Sequence, residues 1–468
     1  MLFELEIENF FSIRDKQVVD LRVAANAPDL PGRLSPIWPG ASDRAPKVVA
    51  IFGPNAAGKS TILRALSFIA WFARESFQLS PTGRLPYERF NSVEGQSAPT
   101  RLSLSFGGHS EPEDETSPAC RYTYSLELGG SNAAQQVVSE ALHYWPEPAR
   151  RKVRLFERSA EGKVVAASAF KLTGFRQALE KVLRPNASVI ATLAQLKHPI
   201  ATQLWEAANT ISSNILIERS DGVEEQMVRH YAENPGLVEA LNREIERIDL
   251  GIRTMRVESG PNGPVALFTH EGHDGPMPLV LESHGTRMFL RLYPFLLRAL
   301  ETGGIAVMDE LDTAIHPLIL PEILRWFYDP SRNPHDAQLW MTCHNASLLE
   351  ELIKEEVLFC TKSPDGRTEV YALQDVQAVR RDENYYRKYL GGTYGALPRS
   401  DEPPEAQGRP AAPPYLCRLR GRKRTGLCRA ADPARRNAAA RRASRCRPAT
   451  AGRWRPLLAC GPGDQTCQ

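Results

Sequence analysis

The stretch Ile51–Leu66, IFGPNAAGKSTILRAL, contains the spacing Gly-x-x-x-x-Gly-Lys-Ser. Glycines at positions 53 and 58 let the backbone wrap closely enough to aim N–H groups at phosphate oxygens. Lys59 adds a point charge for the β- and γ-phosphates, and the Ser60 hydroxyl a ligand for Mg2+. The flanks have the order that such a loop demands. PKVVAIFG is apolar and β-branched and reads as a strand, while KSTILRALSFIAWFARESF reads as a helix with apolar residues at Ile62, Leu66, Ile69 and Phe72. The expected nucleotide contacts are Gly53, Pro54, Asn55, Ala56, Ala57, Gly58, Lys59, Ser60 and Thr61.

A phosphate loop binds nucleotide but does not orient water, so a second element is needed. In GGIAVMDELD an apolar strand ends in Asp309, placed to hold Mg2+, followed by Glu310, a candidate base for the attacking water. In LWMTCHNASLLEEL a strand is expected to end at His344, opening a helix that Asn345 or Ser347 caps. From that edge His344 can reach a γ-phosphate. In LESHGTRMF, Ser283 and Gly285 stand at the start of a helix, where a hydroxyl and N–H groups make either an anion site or a plain cap.

Charge and cysteine divide the chain near Pro398. From Arg399 onward there are 16 Lys and Arg against 5 Asp and Glu, leaving 42 basic and 50 acidic residues before it. The body is acidic and disfavours a general affinity for nucleic acid. Five of the eight cysteines, Cys417, Cys428, Cys446, Cys460 and Cys467, lie in the tail at spacings that match no zinc site. Residues 399–468 are too poor in large apolar residues to build a core and are expected to be disordered. Their Arg, Ala, Pro and Cys enrichment suits a GC-rich gene read out of frame better than a basic arm for nucleic acid. No apolar run approaches the roughly 18 residues of a membrane span, and the acidic N-terminus MLFELEIENFF is unlike a signal peptide. A cytoplasmic protein with no membrane partner is expected.

Along the body, LFELEIENFFSIRDKQVVDLRV alternates like two strands joined near IRDK. Between about 100 and 168 a run of strands (RLSLSF, RYTYSLEL, VVSEALHYW, KVRLFER, KVVAAS) predicts an antiparallel sheet. Residues 169–250 read as helical without sustained heptads, and strands resume with IRTMRVE, PVALFTHE and PMPLVLE. This gives lobes at 1–168 and 251–398 around a helical insertion at 169–250.

Two features are discounted. His270, Glu271, His273 and Asp274 in FTHEGHDGP read as an exposed hairpin tip rather than a metal site, and Cys343 lacks partners for a nucleophile or zinc role. NYYRKYLGGTYGALP is expected to dock on the body or on a partner, although paired Tyr and Arg/Lys also suit base stacking.

The order of motifs, with Ser-x-Gly-Thr between the phosphate loop and the Asp-Glu strand, resembles the ABC-type ATPases of the RecF, SMC and OLD group. LEIENFFSIRD, FGPNAAGKST, LESHGTR, MDELDTAIHP, CHNASLL and YYRKYLGGTYGALP are similar to prokaryotic AAA ATP-binding proteins of phage-defence and abortive-infection loci, of the RloA and AbiL type. The resemblance covers about 1–398. It implies an α/β P-loop NTPase of ABC-type head architecture with an antiparallel β subdomain and a helical insertion. It also implies ATP and Mg2+ as cofactors and a head-to-tail homodimer, with ATP between the P-loop of one copy and Ser283–Thr286 of the other. Asp312 would lie at that seam, and His316 would brace the next helix. The departures are His284 in place of a glycine and the lack of a following glutamine; Gln96 is the candidate Q-loop residue. The implied role is an antiphage ATPase controlling an effector encoded nearby. A RecF-like DNA repair ATPase is the alternative, and a transporter subunit fits less well.

Overall fold

Val48–Phe52, entirely buried, is the central strand from which the architecture follows. In the computed structural model it lies in a six-stranded sheet, in the order Ile211–Ser213, Ile305–Met308, Gln338–Thr342, Val48–Phe52, Val357–Lys362, Thr368–Ala372. The first five strands are parallel and the last is antiparallel to its neighbour. Strands covered on both faces carry near-continuous apolar runs, and VVAIF, IAVM and QLWMT fit that pattern. The structure describes residues 1–397 except 24–26, 29, 31, 112–113, 115, 132–133, 148–149, 216–222, 249–250, 314 and 316–318. His316 and the tail 399–468 therefore lie outside the described residues, all of which fall within the compact unit Met1–Pro414.

Alternate side chains of this sheet feed two cores. Val49, Ile51, Val307 and Trp340 point to one face, against Ile62, Leu66 and Ile69 of the helix Lys59–Glu75. Val48, Ala50, Phe52, Met308 and Met341 point to the other, against the helices His284–Thr302 and Leu320–Tyr328. The first core is shared with a seven-stranded antiparallel sheet, in the order Val164–Ala166, Val153–Arg158, Ala134–Tyr144, Ala119–Ser131, Thr100–His109, Leu2–Glu8, Gln17–Asp20. This is the antiparallel sheet expected from the alternating strand pattern. The sheets are tied together by Gln338, whose side chain accepts from Leu2 N at 2.8 Å and donates to Leu2 O at 3.0 Å.

Three elements differ from the sequence reading. Residues 169–250 are not helical throughout: Ile211–Ser213 is an edge strand of the parallel sheet, too short for periodicity to reveal. PMPLVLE contributes only the two-residue strand Met277–Pro278 before a 3-10 turn, Leu279–Leu281. The strand before His344 stops at Thr342, and the turn after it is a 3-10 helix, Ala346–Glu350, capped by Asn345.

Residues 384–397, the described part of the segment NYYRKYLGGTYGALP, dock on the body. Tyr389 stacks on Phe359 at 5.4 Å and 7°, and Tyr394 lies 5.6 Å from the same ring. Tyr385, Tyr389 and Tyr394 are buried, so these rings serve packing.

Candidate nucleotide site

The loop between strand and helix has the backbone its glycines predict. Gly53 has φ +147° and Gly58 φ +99°. A Cβ on Gly53 would stand 2.3 Å from the Cys360 carbonyl oxygen, and one on Gly58 2.1 Å from Thr368 Oγ1. Behind the loop runs a chain of hydroxyls. Thr61 Oγ1 lies 3.0 Å from Ser12 Oγ, which lies 2.8 Å from Thr368 Oγ1, and Thr368 donates to the Ala57 carbonyl at 2.8 Å. Lys362 Nζ donates to the Ala56 carbonyl at 2.9 Å. The first N–H groups of a helix have no intrahelical acceptors and suit an anion.

Lys59 is 5% exposed and its ammonium donates to the carbonyls of Gly53 at 2.9 Å and Pro54 at 3.1 Å. Burial pulls its pKa below the ordinary lysine value, against the raising pull of Cys360, Asp309, Asp312 and Glu310. Ser60 Oγ donates to Asp309 Oδ1 at 2.9 Å. A hydroxyl and a carboxylate oxygen thus converge at the seam of two elements 249 positions apart. Hard oxygen donors of this kind fit Mg2+, with phosphate oxygens and water completing its shell.

Asp309 directly follows the strand Ile305–Met308 and is held from both sides. Thr342 Oγ1 donates to Asp309 Oδ1 at 2.7 Å and accepts from Glu310 N at 2.7 Å. Asn214 accepts from Asp309 N at 2.8 Å and donates to Asp309 O at 2.9 Å. Glu310 has φ +53°, a left-handed conformation unusual for a non-glycine residue. Its carboxylate is exposed, with His344 Nε2 3.9 Å from Glu310 Oε1.

Asp312 has work within its own chain: Oδ2 accepts from His344 N at 2.7 Å and Asn345 N at 2.6 Å, fixing the turn that carries His344. Cys343 is buried and burial raises its thiol pKa. Ser283 caps the helix His284–Thr302, accepting from Thr286 N at 3.1 Å. No hydrogen bond among the described residues joins Ser283 or Gly285 to the phosphate loop. The phosphate loop, Asp309, Glu310, Asp312 and His344 come together, whereas the Ser283 turn is not bonded to them among the described residues and has Val280 and Leu281 exposed before it.

Other candidates find local roles. Gln96 lies in a short helix, Val93–Ser97, its Nε2 donating to Phe90 O at 3.3 Å. His270 is not the solvated tip expected of it, because Nε2 lies 2.7 Å from Oε1 of the buried Glu282. Sequence reasoning missed Ser12, Asn214, Thr342 and Thr368. Only Thr342, a hydroxyl at the end of an apolar strand two residues before His344, carried a usable signal.

The family model described as "AAA domain, putative AbiEii toxin, Type IV TA system" matches residues 48–350, from the central strand through His344. Among solved structures, an Smc head bound to the C-winged helix domain of ScpA is 12% identical at a TM-score of 0.42, covering 79% of this chain and 97% of that one. The SMC head domain from Thermotoga maritima is 14% identical at a TM-score of 0.36, covering 79% and 98%. An Smc head with an extended coiled coil, bound to the C-terminal domain of ScpA derived from Pyrococcus furiosus, is 12% identical at 0.38, covering 80% and 96%. No curated protein sequence matches the chain. With the match spanning more than half of its length, from the central strand through the phosphate loop, Asp309, Glu310 and His344, the chain belongs to the family of AAA domains described as putative AbiEii toxin, Type IV TA system.

Proposed function

We propose that the chain is a switch that binds and hydrolyses ATP. The observation that carries this reading is the 2.9 Å contact between Ser60 and Asp309, which brings a phosphate-loop hydroxyl and a strand-end carboxylate to one point beside Lys59. Lys59 and the loop from Gly53 to Thr61 bind the phosphates of ATP, and Ser60 and Asp309 hold Mg2+. The metal, when bound, screens phosphate charge and lowers the barrier to attack. Glu310 accepts a hydrogen bond from the attacking water and orients it, and His344, across from Glu310, reads the γ-phosphate.

We extend the reading to a homodimer. Its support is the Ser283 turn, an exposed helix start preceded by two exposed apolar residues, Val280 and Leu281, with no hydrogen bond among the described residues to the phosphate loop of its own chain. In that arrangement the turn meets the ATP held by a second copy. The family's description also supports a place in phage defence; we extend this to a cytoplasmic protein whose hydrolysis controls a separately encoded effector.

The test is phosphate release from ATP by the full chain, with and without duplex DNA ends, beside Glu310→Gln. Slow turnover that ignores DNA and disappears in Glu310→Gln, with ATP binding retained, supports the switch. Strong stimulation by DNA moves the reading to a RecF-like repair ATPase. Turnover unchanged by Glu310→Gln removes the hydrolytic assignment.

A further inference from the structure

The edge strand Ile211–Ser213 pairs in parallel with Ile305–Val307, and Asn214 N extends the ladder by donating to Val307 O at 3.2 Å. Beyond that bond, among the described residues, it is the Asn214 side chain that continues the pairing. Its amide accepts from Asp309 N at 2.8 Å and donates to Asp309 O at 2.9 Å. A primary amide has the donor and acceptor of a peptide group, so it acts here as one more residue of strand. The residue it holds carries the carboxylate bonded to Ser60, and the next peptide unit turns Glu310 into φ +53°. A left-handed backbone at a non-glycine residue persists only where its surroundings fix it.

We infer that Asn214 is a positioning residue for the Asp309–Glu310 pair, acting through the Asp309 backbone to set where the Glu310 carboxylate stands. This rests on the ATPase reading above for its functional consequence. The same segment is anchored to the helix of the phosphate loop. Ser213 Oγ lies 2.8 Å from Ser67 Oγ, and Trp205, in the helix Pro199–Asn209 leading into the strand, donates to Arg74 O at 2.9 Å. Asn214 is therefore the point at which the segment fixed to the far turns of that helix reaches the acidic pair.

The experiment compares the full chain with Asn214→Leu, which keeps the size and removes both hydrogen bonds, and Asn214→Gln, which keeps both groups on a longer stem. Displacement of a reacting group by about 1 Å costs about 100-fold in rate, so kcat is expected to fall about 10- to 100-fold in Asn214→Leu. KM is expected to stay within about twofold, because the phosphate loop is untouched. Asn214→Gln should recover part of the loss. A second readout needs no nucleotide: hydrogen exchange of the Glu310 amide, which Thr342 holds and Asn214 does not touch, should accelerate about tenfold in Asn214→Leu. Wild-type kcat in Asn214→Leu, or an unchanged Glu310 exchange rate, overturns the assignment. So does a loss of nucleotide affinity in parallel with kcat. If Asn214→Leu does not fold, Asn214→Ala, which also removes both hydrogen bonds, is judged by the same criteria. Should the wild-type chain bind no ATP, and Lys59→Ala behave identically, the ATPase reading falls while the exchange measurement still decides the role of Asn214.

Discussion

Thr342 and Asp309 share a 2.7 Å hydrogen bond, and the same Thr342 oxygen accepts the Glu310 N–H, so one buried hydroxyl fixes both members of the acidic pair. Thr342→Val keeps the shape and removes the hydroxyl. A half-buried N–H left without its acceptor costs about 1–3 kcal/mol. Chemical denaturation should show that loss. Phosphate release should fall about tenfold or more with ATP affinity retained, a pattern expected when only the reacting geometry is disturbed.

Asp312 supports His344 through two backbone N–H groups. Removing the carboxylate and removing the imidazole should therefore damage the same function. Asp312→Ala and His344→Ala are each expected to lower turnover, and the double variant to be no worse than the weaker single one. A double-mutant cycle on kcat checks this, and additive losses would separate the two residues.

Gly53→Ala should abolish nucleotide binding. Its Cβ would stand 2.3 Å from a backbone oxygen on the adjoining strand Val357–Lys362, which cannot withdraw without breaking pairing to Val48–Phe52. Titration with a fluorescent ATP analogue measures the loss, and retained affinity would mean that the loop takes another path.

Glu356 gives a stability signature against pH. It is fully buried, and burial raises its pKa to about 7, while Arg33, 2.8 Å away, pulls it down. The unfolded chain releases this proton near 4.5, so between there and about 7 the folded form is the better proton binder. This group's contribution therefore falls as pH rises through that window, and the loss is complete above about 7. Urea denaturation at pH 5.5 and pH 8 should show it, with Glu356→Gln flattening the difference.

Glu140 is buried in the antiparallel sheet, accepting from Tyr124 at 2.9 Å, Ser188 at 2.7 Å and Val189 N at 2.9 Å, with Arg158 3.7 Å away. It takes the first N–H of the helix Val189–Gln195, which Ser188 caps. Breaking such a pair leaves a buried charge and costs about 3–5 kcal/mol. Arg158→Met should show a loss of that size in urea denaturation.

What was legible in the sequence follows from how each feature is encoded. Alternation over 100–168 announced the antiparallel sheet, since each strand has one face in the core and one in solvent. The phosphate loop was legible because its geometry admits only certain residues, as Gly53 and Gly58 show by what a Cβ would meet. Asn214 was not legible. It lies beyond a three-residue strand inside a helical stretch, and its partner Asp309 is 95 positions away. The strand end at Thr342 was misplaced by two residues, because Cys343 continues the apolar run and its N–H still donates to Ile51 O, while the backbone turns to Asp312 only at His344. Ser12 and Thr368 back the loop through side-chain hydroxyls that no local pattern distinguishes.

The central strand Val48–Phe52 has both of its neighbours, Gln338–Thr342 and Val357–Phe359, far downstream in the chain. At a synthesis rate of about 5–20 residues per second, roughly 15–60 seconds separate the emergence of the strand from that of its first partner. Throughout that interval five apolar residues that end fully buried have no ladder to join. Such a segment is prone to pair with other chains. The phosphate loop hanging from it cannot take its final path until Cys360 and Thr368 arrive to back Gly53 and Gly58. Nucleotide binding is thus expected only of a chain that extends past Thr368, and a shorter ribosome-bound fragment is expected to expose this strand rather than to bind ATP.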